Sequence, residues 1–146
     1  MNDIAISTQI GYPLPLFDKL KLIHGAGFSG ILLWLGAELY DPALSVRMRM
    51  AKEAGLSVIN AHAPTNGMNL LWAAQGEDGG VTERMIAYID ACADAGIQTM
   101  VAHLTRGESP PPVNEPGMLR VERMLLHAQG RTVPLAFANT HISTHL

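Results

Sequence analysis

The sequence predicts an α/β fold made of parallel (β/α) repeats. Short strand-like runs alternate with amphipathic helical segments along the chain, and this alternation implies right-handed crossovers and a parallel sheet. The run from Gly30 to Trp34 is apolar without alternation, as expected of a strand that is covered on both faces. Two later runs end in a histidine just before a loop, and parallel α/β folds place their chemistry at this end of the strands.

Five strands and four helices are predicted in the order β-α-β-α-β-α-β-α-β. The predicted strands are residues 4–8, 30–34, 56–61, 97–104 and 133–137, the helices are 15–26, 41–54, 81–95 and 118–129, and 62–80 and 105–117 are loops. Asp41 and Pro42 suit the N-cap and the first position of the second helix. Thr82 can cap the third helix. Pro134 indicates either the first residues of the last strand or an edge of the sheet.

Both a doubly wound sheet and a segment of a (β/α)8 barrel fit this order of elements. No GxGxxG or GxxxxGK[ST] pattern follows any of the predicted strands, so the nucleotide-binding versions of the doubly wound sheet lack their signature.

Composition narrows the classes of protein. At 146 residues, 48% of them hydrophobic, the chain can form one domain with a buried core. A net charge of −3 without a basic stripe argues against nucleic-acid binding. The single cysteine, Cys92, excludes an internal disulfide. The start lacks a signal-peptide pattern, and no apolar run approaches the roughly 20 residues of a membrane helix, so we expect a cytoplasmic protein without membrane contact.

The strand-end histidines are His62 and His103, each followed by a loop. Consecutive parallel strands would bring them near each other, and neutral imidazole suits zinc and other divalent transition metals. In the alternative reading each is a polar strand end bonded to backbone or water. The fifth run reaches the same boundary without a ligand. Two histidines without a carboxylate make a poor metal site, because catalytic zinc generally has three protein ligands.

Three further residues are candidates for binding a small molecule. Trp34 ends the second strand and could form an apolar wall for a sugar face, or it could be a packing residue. Asn66 and Asn139 could hydrogen-bond a hydroxyl group, although loop asparagines more often form Asx-turns.

Four segments resemble successive strands of the xylose-isomerase-like TIM barrels, namely 27–34, 59–64, 100–104 and 135–140. That superfamily holds sugar phosphate isomerases/epimerases and the endonuclease IV type of apurinic-site nucleases (AP endonuclease family 2). The resemblance implies a partial TIM barrel of about five strands. Because a whole barrel takes roughly 250 residues, it also implies that residues 1–146 are a single domain, the N-terminal part of a barrel truncated after the fifth strand.

The resemblance implies a divalent metal (Zn, Mn, Mg or Co) at the mouth of the barrel. In its nuclease branch the matching histidines, here His62 and His103, are zinc ligands, and in its sugar branch they line the substrate pocket. The chain departs from the pattern at Leu32 and Ala138, where the superfamily commonly has glutamate. The Asp, His and Glu of later strands are also missing, so no catalytic residue is assigned.

Three functions stay open. The first is a sugar phosphate isomerase/epimerase-like protein that binds a sugar or sugar phosphate and transfers a proton or hydride with a metal in complete relatives. The second is a zinc-dependent apurinic-site nuclease relative. The third is a non-catalytic, truncated barrel that forms homo-oligomers through its exposed strand edges.

Overall fold

The computed structural model describes residues 4–11, 13–36 and 43–138. Five parallel strands form one sheet: β1 (Ala5–Ser7), β2 (Gly30–Trp34), β3 (Ser57–His62), β4 (Met100–Ala102) and β5 (Leu135–Phe137). Four helices follow the first four strands: α1 (Leu16–Gly25), α2 (Leu44–Glu53), α3 (Val81–Asp94) and α4 (Glu115–Gly130). A short 3-10 helix, Met68–Trp72, lies between β3 and α3. The predicted parallel α/β fold is confirmed.

The order of the strands distinguishes the two α/β architectures that the sequence left open. The spatial order β1-β2-β3-β4-β5 follows the chain without reversal. A doubly wound sheet reverses its strand order at a switch point, whereas a (β/α)8 barrel adds each strand beside the one before it. The sheet is therefore a barrel-type segment.

The register aligns the functional ends of the strands. Trp34 of β2 pairs with His62 of β3, which pairs with Val101 of β4, and Val101 pairs with Ala136 of β5. Paired residues in a parallel sheet project to the same face, so these four side chains share one face. The register shifts between β2 and β3, where Ile31 pairs with Val58 but the following Leu32 pairs with Asn60.

The two faces of the sheet differ in burial. Ile31, Leu33 and Met100 are completely or almost completely buried on the face that the helices cover, and they belong to the main hydrophobic core. The other face carries Leu32, which is half-buried, and Ile59, which is 49% exposed. The helix layer thus packs on one side of the sheet, and the side that carries Leu32 and Ile59 is less buried.

Two helices start differently from the prediction. Helix α4 begins at Glu115 and not at residue 118, because Asn114 accepts a hydrogen bond from the Gly117 N–H and thereby caps the helix. Thr82 does not cap α3. Its N–H and hydroxyl both donate to the Asp78 carboxylate, which is the group that serves the start of this helix.

Other boundaries also shift, most of all those of β4, which spans Met100–Ala102 and not the predicted residues 97–104. Helix α2 begins at Leu44, and the predicted cap formed by Asp41 and Pro42 lies outside the described residues. Strand β5 begins at Leu135, one residue after Pro134, whose carbonyl accepts from the Met100 N–H. Within the described ranges, no helix is long and apolar enough to cross a membrane.

Candidate functional site

The rings of His62 and His103 are in contact at the C-terminal end of the sheet. His62 is the last residue of β3, and His103 follows β4 directly. Their Nε2 atoms are 3.1 Å apart and their ring centroids 5.0 Å apart. His103 is only 5% exposed, whereas His62 is half-buried. Strand order and register therefore bring together two imidazoles that are 41 residues apart in sequence.

The hydrogen bonds define where the protons of this pair lie. His62 Nδ1 is 2.9 Å from the carbonyl oxygen of Ala63, which can only accept, so Nδ1 carries the proton. In the neutral ring His62 Nε2 is then an acceptor, and His103 Nε2–H is the donor in the contact between the rings. Burial lowers the pKa of His62, and the nearby His103 lowers it further against the opposing bond to Ala63.

Trp34 forms one wall of the histidine pair. Its ring stacks on that of His62 with centroids 4.9 Å apart and planes inclined by 28°. Thr8 Oγ1 accepts from the Trp34 N–H at 3.0 Å, and Arg47 donates to the Trp34 carbonyl at 2.9 Å. Gly36 lies against the indole, and a Cβ at that position would overlap Trp34 Nε1. Hydrogen bonds therefore hold the backbone of Trp34, and its indole packs against Gly36, where any larger residue would overlap it.

The loops after β3 and β4 are bonded to each other beside the histidines. Asn69 Nδ2 donates to the Arg106 carbonyl at 2.9 Å, and the Arg106 N–H donates back to Asn69 Oδ1 at 2.7 Å. Asn66, a predicted ligand-binding residue, is exposed and its side-chain oxygen accepts from the Arg106 guanidinium. Asn139 lies outside the described residues.

The 3-10 helix between β3 and α3, which contains Asn69, is bonded to the loop after β4 and to α4. Trp72 Nε1 donates to the Leu104 carbonyl at 2.8 Å, one residue after His103. Asn114 Nδ2 donates to the Trp72 carbonyl at 2.6 Å. Arg120 of α4 donates to the carbonyls of Leu71 and Ala73 at 2.7 Å each, satisfying the end of the 3-10 helix. The segments that follow His62 and His103 are therefore held by these hydrogen bonds, in addition to the pairing of the strands.

The described residues supply only part of a metal site. Two imidazole nitrogens 3.1 Å apart fit neighbouring ligand positions, because metal–nitrogen bonds of about 2.0–2.1 Å would then subtend an angle of about 100°. The bond from His62 Nδ1–H to a backbone carbonyl is also the arrangement that orients metal-binding histidines. No group of three or more His, Cys, Asp or Glu that could hold a metal ion occurs among the described residues. The pair fits two ligand positions but not a complete catalytic site.

Ala138, directly after β5, places a methyl group level with His103. Ala102 pairs with Phe137, so Ala138 is level with His103, and its N–H donates to the Ala102 carbonyl at 3.0 Å. Ala138 therefore occupies the position from which a side chain of β5 would reach the histidine pair.

Three residues that bond the segments after β3 and β4 were not predicted as site residues, namely Arg84, Asn69 and Arg106. None belongs to a motif, and only the position of Arg106, three residues after a strand-end histidine, was available as a signal. The contact between Asn69 and Arg106 spans 37 residues, which no local pattern reveals.

Several solved structures have a fold similar to that of this chain. Similar structures include a D-psicose 3-epimerase from Clostridium cellulolyticum H10 with D-tagatose (TM-score 0.68, 9% identity, covering 90% of this chain and 50% of that chain). An L-ribulose 3-epimerase has a TM-score of 0.70 at 14% identity, with coverage of 94% and 49%. An AP endonuclease of family 2 from Brucella melitensis has a TM-score of 0.65 at 14% identity, with coverage of 94% and 55%.

These matches define the class of fold. The chain has the parallel (β/α) fold of a TIM barrel and spans about half the length of each of these three structures, so the predicted fold class is confirmed. No protein-family model matches the sequence, and no curated protein matches it. At identities of 9–14% the likeness is one of fold.

Proposed function

We propose that this chain is the N-terminal part of a sugar isomerase/epimerase-like barrel, in which Trp34, His62 and His103 bind the sugar. The observation that carries the proposal is the contact between His62 Nε2 and His103 Nε2 at 3.1 Å, at the C-terminal end of the strands and beside a half-buried indole. Active sites of TIM barrels are built at this end of the strands. The sugar epimerases among the structural neighbours support the same class.

The proton arrangement of the pair suits a hydroxyl group. A sugar hydroxyl that enters between the rings would donate to His62 Nε2 and accept from His103 Nε2–H, so one hydroxyl would satisfy both nitrogens. Trp34 would face the C–H groups of the sugar on the neighbouring side. The proposed substrate ligands are Trp34, His62, His103, Asn66 and Asn139, of which Asn139 lies outside the described residues.

A divalent metal would be held by His62 and His103 together with a ligand from elsewhere. Such a metal would polarise a carbonyl or hydroxyl of the sugar in a complete barrel. The described residues offer no group of three or more His, Cys, Asp or Glu that could complete this metal site, so we propose binding residues and no catalytic residue for this chain.

The test is sugar binding followed by NMR of the Trp34 indole and of the histidine rings. A ketohexose such as D-fructose is expected to shift the resonances of Trp34, His62 and His103. His62→Ala and His103→Ala should abolish the response. His24→Ala is the matched control, because His24 is an exposed histidine of α1. Unperturbed His62 and His103 resonances at millimolar sugar would reject the proposal.

The second candidate function is that of an apurinic-site nuclease relative. The match to an AP endonuclease and the histidine pair favour it, and the net charge of −3 opposes it because a phosphodiester backbone attracts basic surfaces. Zinc stoichiometry and nicking of a duplex with one abasic site test it. Nicking that disappears in His62→Ala would establish this function in place of sugar binding, and its absence at high protein concentration would remove it.

The third proposal is homo-oligomerisation through the β5 edge and the outer surface of α4. Helix α4 exposes Leu119 and Leu126, at 59% and 63%, and a groove of about 690 Å³ runs between α4 and β5. Among the described residues β5 pairs only with β4, and an open strand edge beside an apolar helix surface favours association with a second copy.

Light scattering after size-exclusion chromatography tests this association. The wild type is expected to form dimers or larger species at micromolar concentration, and Leu126→Glu should shift it towards the monomer. Leu70→Glu is the control, because Leu70 is 45% exposed but lies in the loop after β3. A monodisperse wild-type monomer would contradict the proposal.

A further inference from the structure

Two arginines meet at one residue of the segment that follows His62. Asn66 follows His62 by four positions. Its side-chain oxygen accepts from Arg106 Nη1, and its backbone carbonyl accepts from Arg84 Nη2 at 3.2 Å. Arg106 comes from the loop after β4 and Arg84 from the first turns of α3, so three separate segments bring two guanidinium groups to the same edge of the barrel mouth.

The position of Arg106 is fixed by its backbone. Its N–H and its carbonyl both bond to the Asn69 side chain, at 2.7 and 2.9 Å. These two hydrogen bonds join the segments after β3 and β4 and fix the backbone of Arg106, which lies three residues after His103. The two guanidinium groups therefore belong to the same end of the sheet as the imidazoles.

No carboxylate neutralises these two guanidinium groups in the described part of the chain. Neither Arg84 nor Arg106 lies within 4.0 Å of an acidic oxygen there. Glu83, which neighbours Arg84 in sequence, forms an ion pair with Arg123 at 2.6 Å. Glu108 is the acidic residue nearest to Arg106 along the chain, is exposed and has an interaction of its own.

The Asp78 carboxylate at the start of α3 is engaged elsewhere. It accepts from the hydroxyl and N–H of Thr82, at 2.7 and 3.3 Å, and Arg120 lies 4.0 Å away. Two like charges at one asparagine, in a chain of net charge −3, are a local concentration of positive charge that the acidic residues of α3 do not offset. An anion held between them would relieve their repulsion.

The geometry points to an anion subsite formed by Arg84, Arg106 and Asn66, and to a phosphorylated sugar as the ligand of the neighbouring histidine pair. Each guanidinium has five N–H donors in a planar fork, and each uses one nitrogen on Asn66, which leaves donors for phosphate oxygens. Bidentate guanidinium contacts are well suited to phosphate monoesters. The choice of a sugar as the rest of the ligand depends on the function proposed above.

The first test is a titration of the intact chain with inorganic phosphate, followed by calorimetry and by NMR of the arginine side chains. Arg84→Gln and Arg106→Gln are each expected to weaken phosphate binding about tenfold, and Arg106→Lys by less, because lysine keeps the charge but loses the fork. Arg49→Gln is the matched control: it removes the same charge from an exposed arginine of α2. Phosphate binding that is absent, or that is equally strong in both glutamine variants, would overturn the subsite.

The second test separates the subsite from the sugar site. D-Fructose 6-phosphate is expected to bind more tightly than either D-fructose or phosphate, and His62→Ala should weaken the sugar phosphate but leave inorganic phosphate unchanged. If the sugar phosphate binds no more tightly than phosphate, the assignment of a phosphorylated sugar fails while the anion subsite stands. If D-fructose binds and phosphate does not, the anion subsite fails while the proposed function stands. Thermal unfolding of each variant confirms that it is folded.

Discussion

Strands β3 and β4 end in a connected group of polar side chains, whereas the neighbouring β5 ends in a methyl group. The His62 and His103 rings touch, and the Asn69 and Arg106 bonds join the loops that follow them. Ala138, the residue directly after β5, is level with His103 and brings no polar side-chain atom. All three strands belong to one sheet with a common register, so the difference is one of side chains and not of backbone.

This comparison indicates which parts of a barrel mouth are independent of each other. The backbone of β5 keeps its ladder with β4 although its side chain contributes nothing to the pair, because parallel pairing depends on backbone hydrogen bonds. A strand can thus retain its place in the fold while the chemistry at its end changes. Substitutions in the segments after β3 and β4 should therefore change the stability of this region. A metal-binding side chain introduced at Ala138 should leave the fold intact.

The largest expected effect is a gain of metal affinity in Ala138→Glu. A carboxylate at this position would join the two imidazole nitrogens and complete the three protein ligands of a typical catalytic zinc site. We expect zinc to bind on the order of 100-fold more tightly than to the wild type, or about 2.7 kcal/mol, measured by competition with a chromophoric chelator.

Ala138→Gln is the control for this experiment, since it adds a side chain of the same length without the charge. The gain should also vanish when His103→Ala is combined with Ala138→Glu. An equal gain in the glutamine variant would show that the added side chain does not act as a carboxylate ligand.

The next effect is a loss of stability in Gly117→Ala. Gly117 is buried in the first turns of α4, and a Cβ there would overlap the six-membered ring of Trp72. We expect the free energy of unfolding to fall by about 2–3 kcal/mol, because the indole holds the loop between β3 and α3 and has little room to move.

Urea unfolding followed by tryptophan fluorescence measures this loss. Gly130→Ala is the matched control, because Gly130 ends the same helix and a Cβ there meets no atom within 4 Å. Its unfolding free energy should stay within about 0.5 kcal/mol of the wild type. Similar losses in the two variants would attribute the effect to the helix and not to Trp72.

A smaller effect is expected from Asn69→Ala, which removes both hydrogen bonds between the loops after β3 and β4. Because Asn69 is only half-buried, water can replace part of the lost bonding, and we expect a destabilisation of about 1–2 kcal/mol. The more specific result is faster hydrogen exchange of the Arg106 N–H. An unchanged exchange rate would mean that the two loops hold their positions without this asparagine.

The smallest effect is the pH dependence that His62 adds to stability. Its pKa in the folded protein lies below the ordinary value of 6.5, mainly because burial disfavours the charged ring. The unfolded chain therefore binds more protons in this range, so this contribution is fully present above pH 6.5 and is lost as the pH falls towards the pKa of the folded state.

Urea unfolding at several pH values between 8 and 5, compared with His62→Gln, isolates this contribution. The advantage of the wild type over the variant should shrink as the pH is lowered. An advantage that grows at low pH would mean that the folded protein favours the protonated ring.

The sequence by itself determined the number and order of the strands and helices, because apolar periodicity and glycine stops are local properties of the chain. It also indicated that His62 and His103 end consecutive strands, from which their proximity follows in a barrel-type sheet, where each strand lies beside the one before it. Helix α4 starts three residues before the predicted residue 118, because Asn114, which lies in the predicted loop 105–117, caps the helix.

Only the tertiary structure decided how the barrel mouth is assembled. The proton placement on His62 depends on the Ala63 carbonyl, and the meeting of Arg84 and Arg106 at Asn66 depends on contacts across 18 and 40 residues. Such contacts follow from the direction of each loop after its strand. Loop directions are set by side-chain bonds to distant backbone atoms, for which the linear sequence carries no periodic signal.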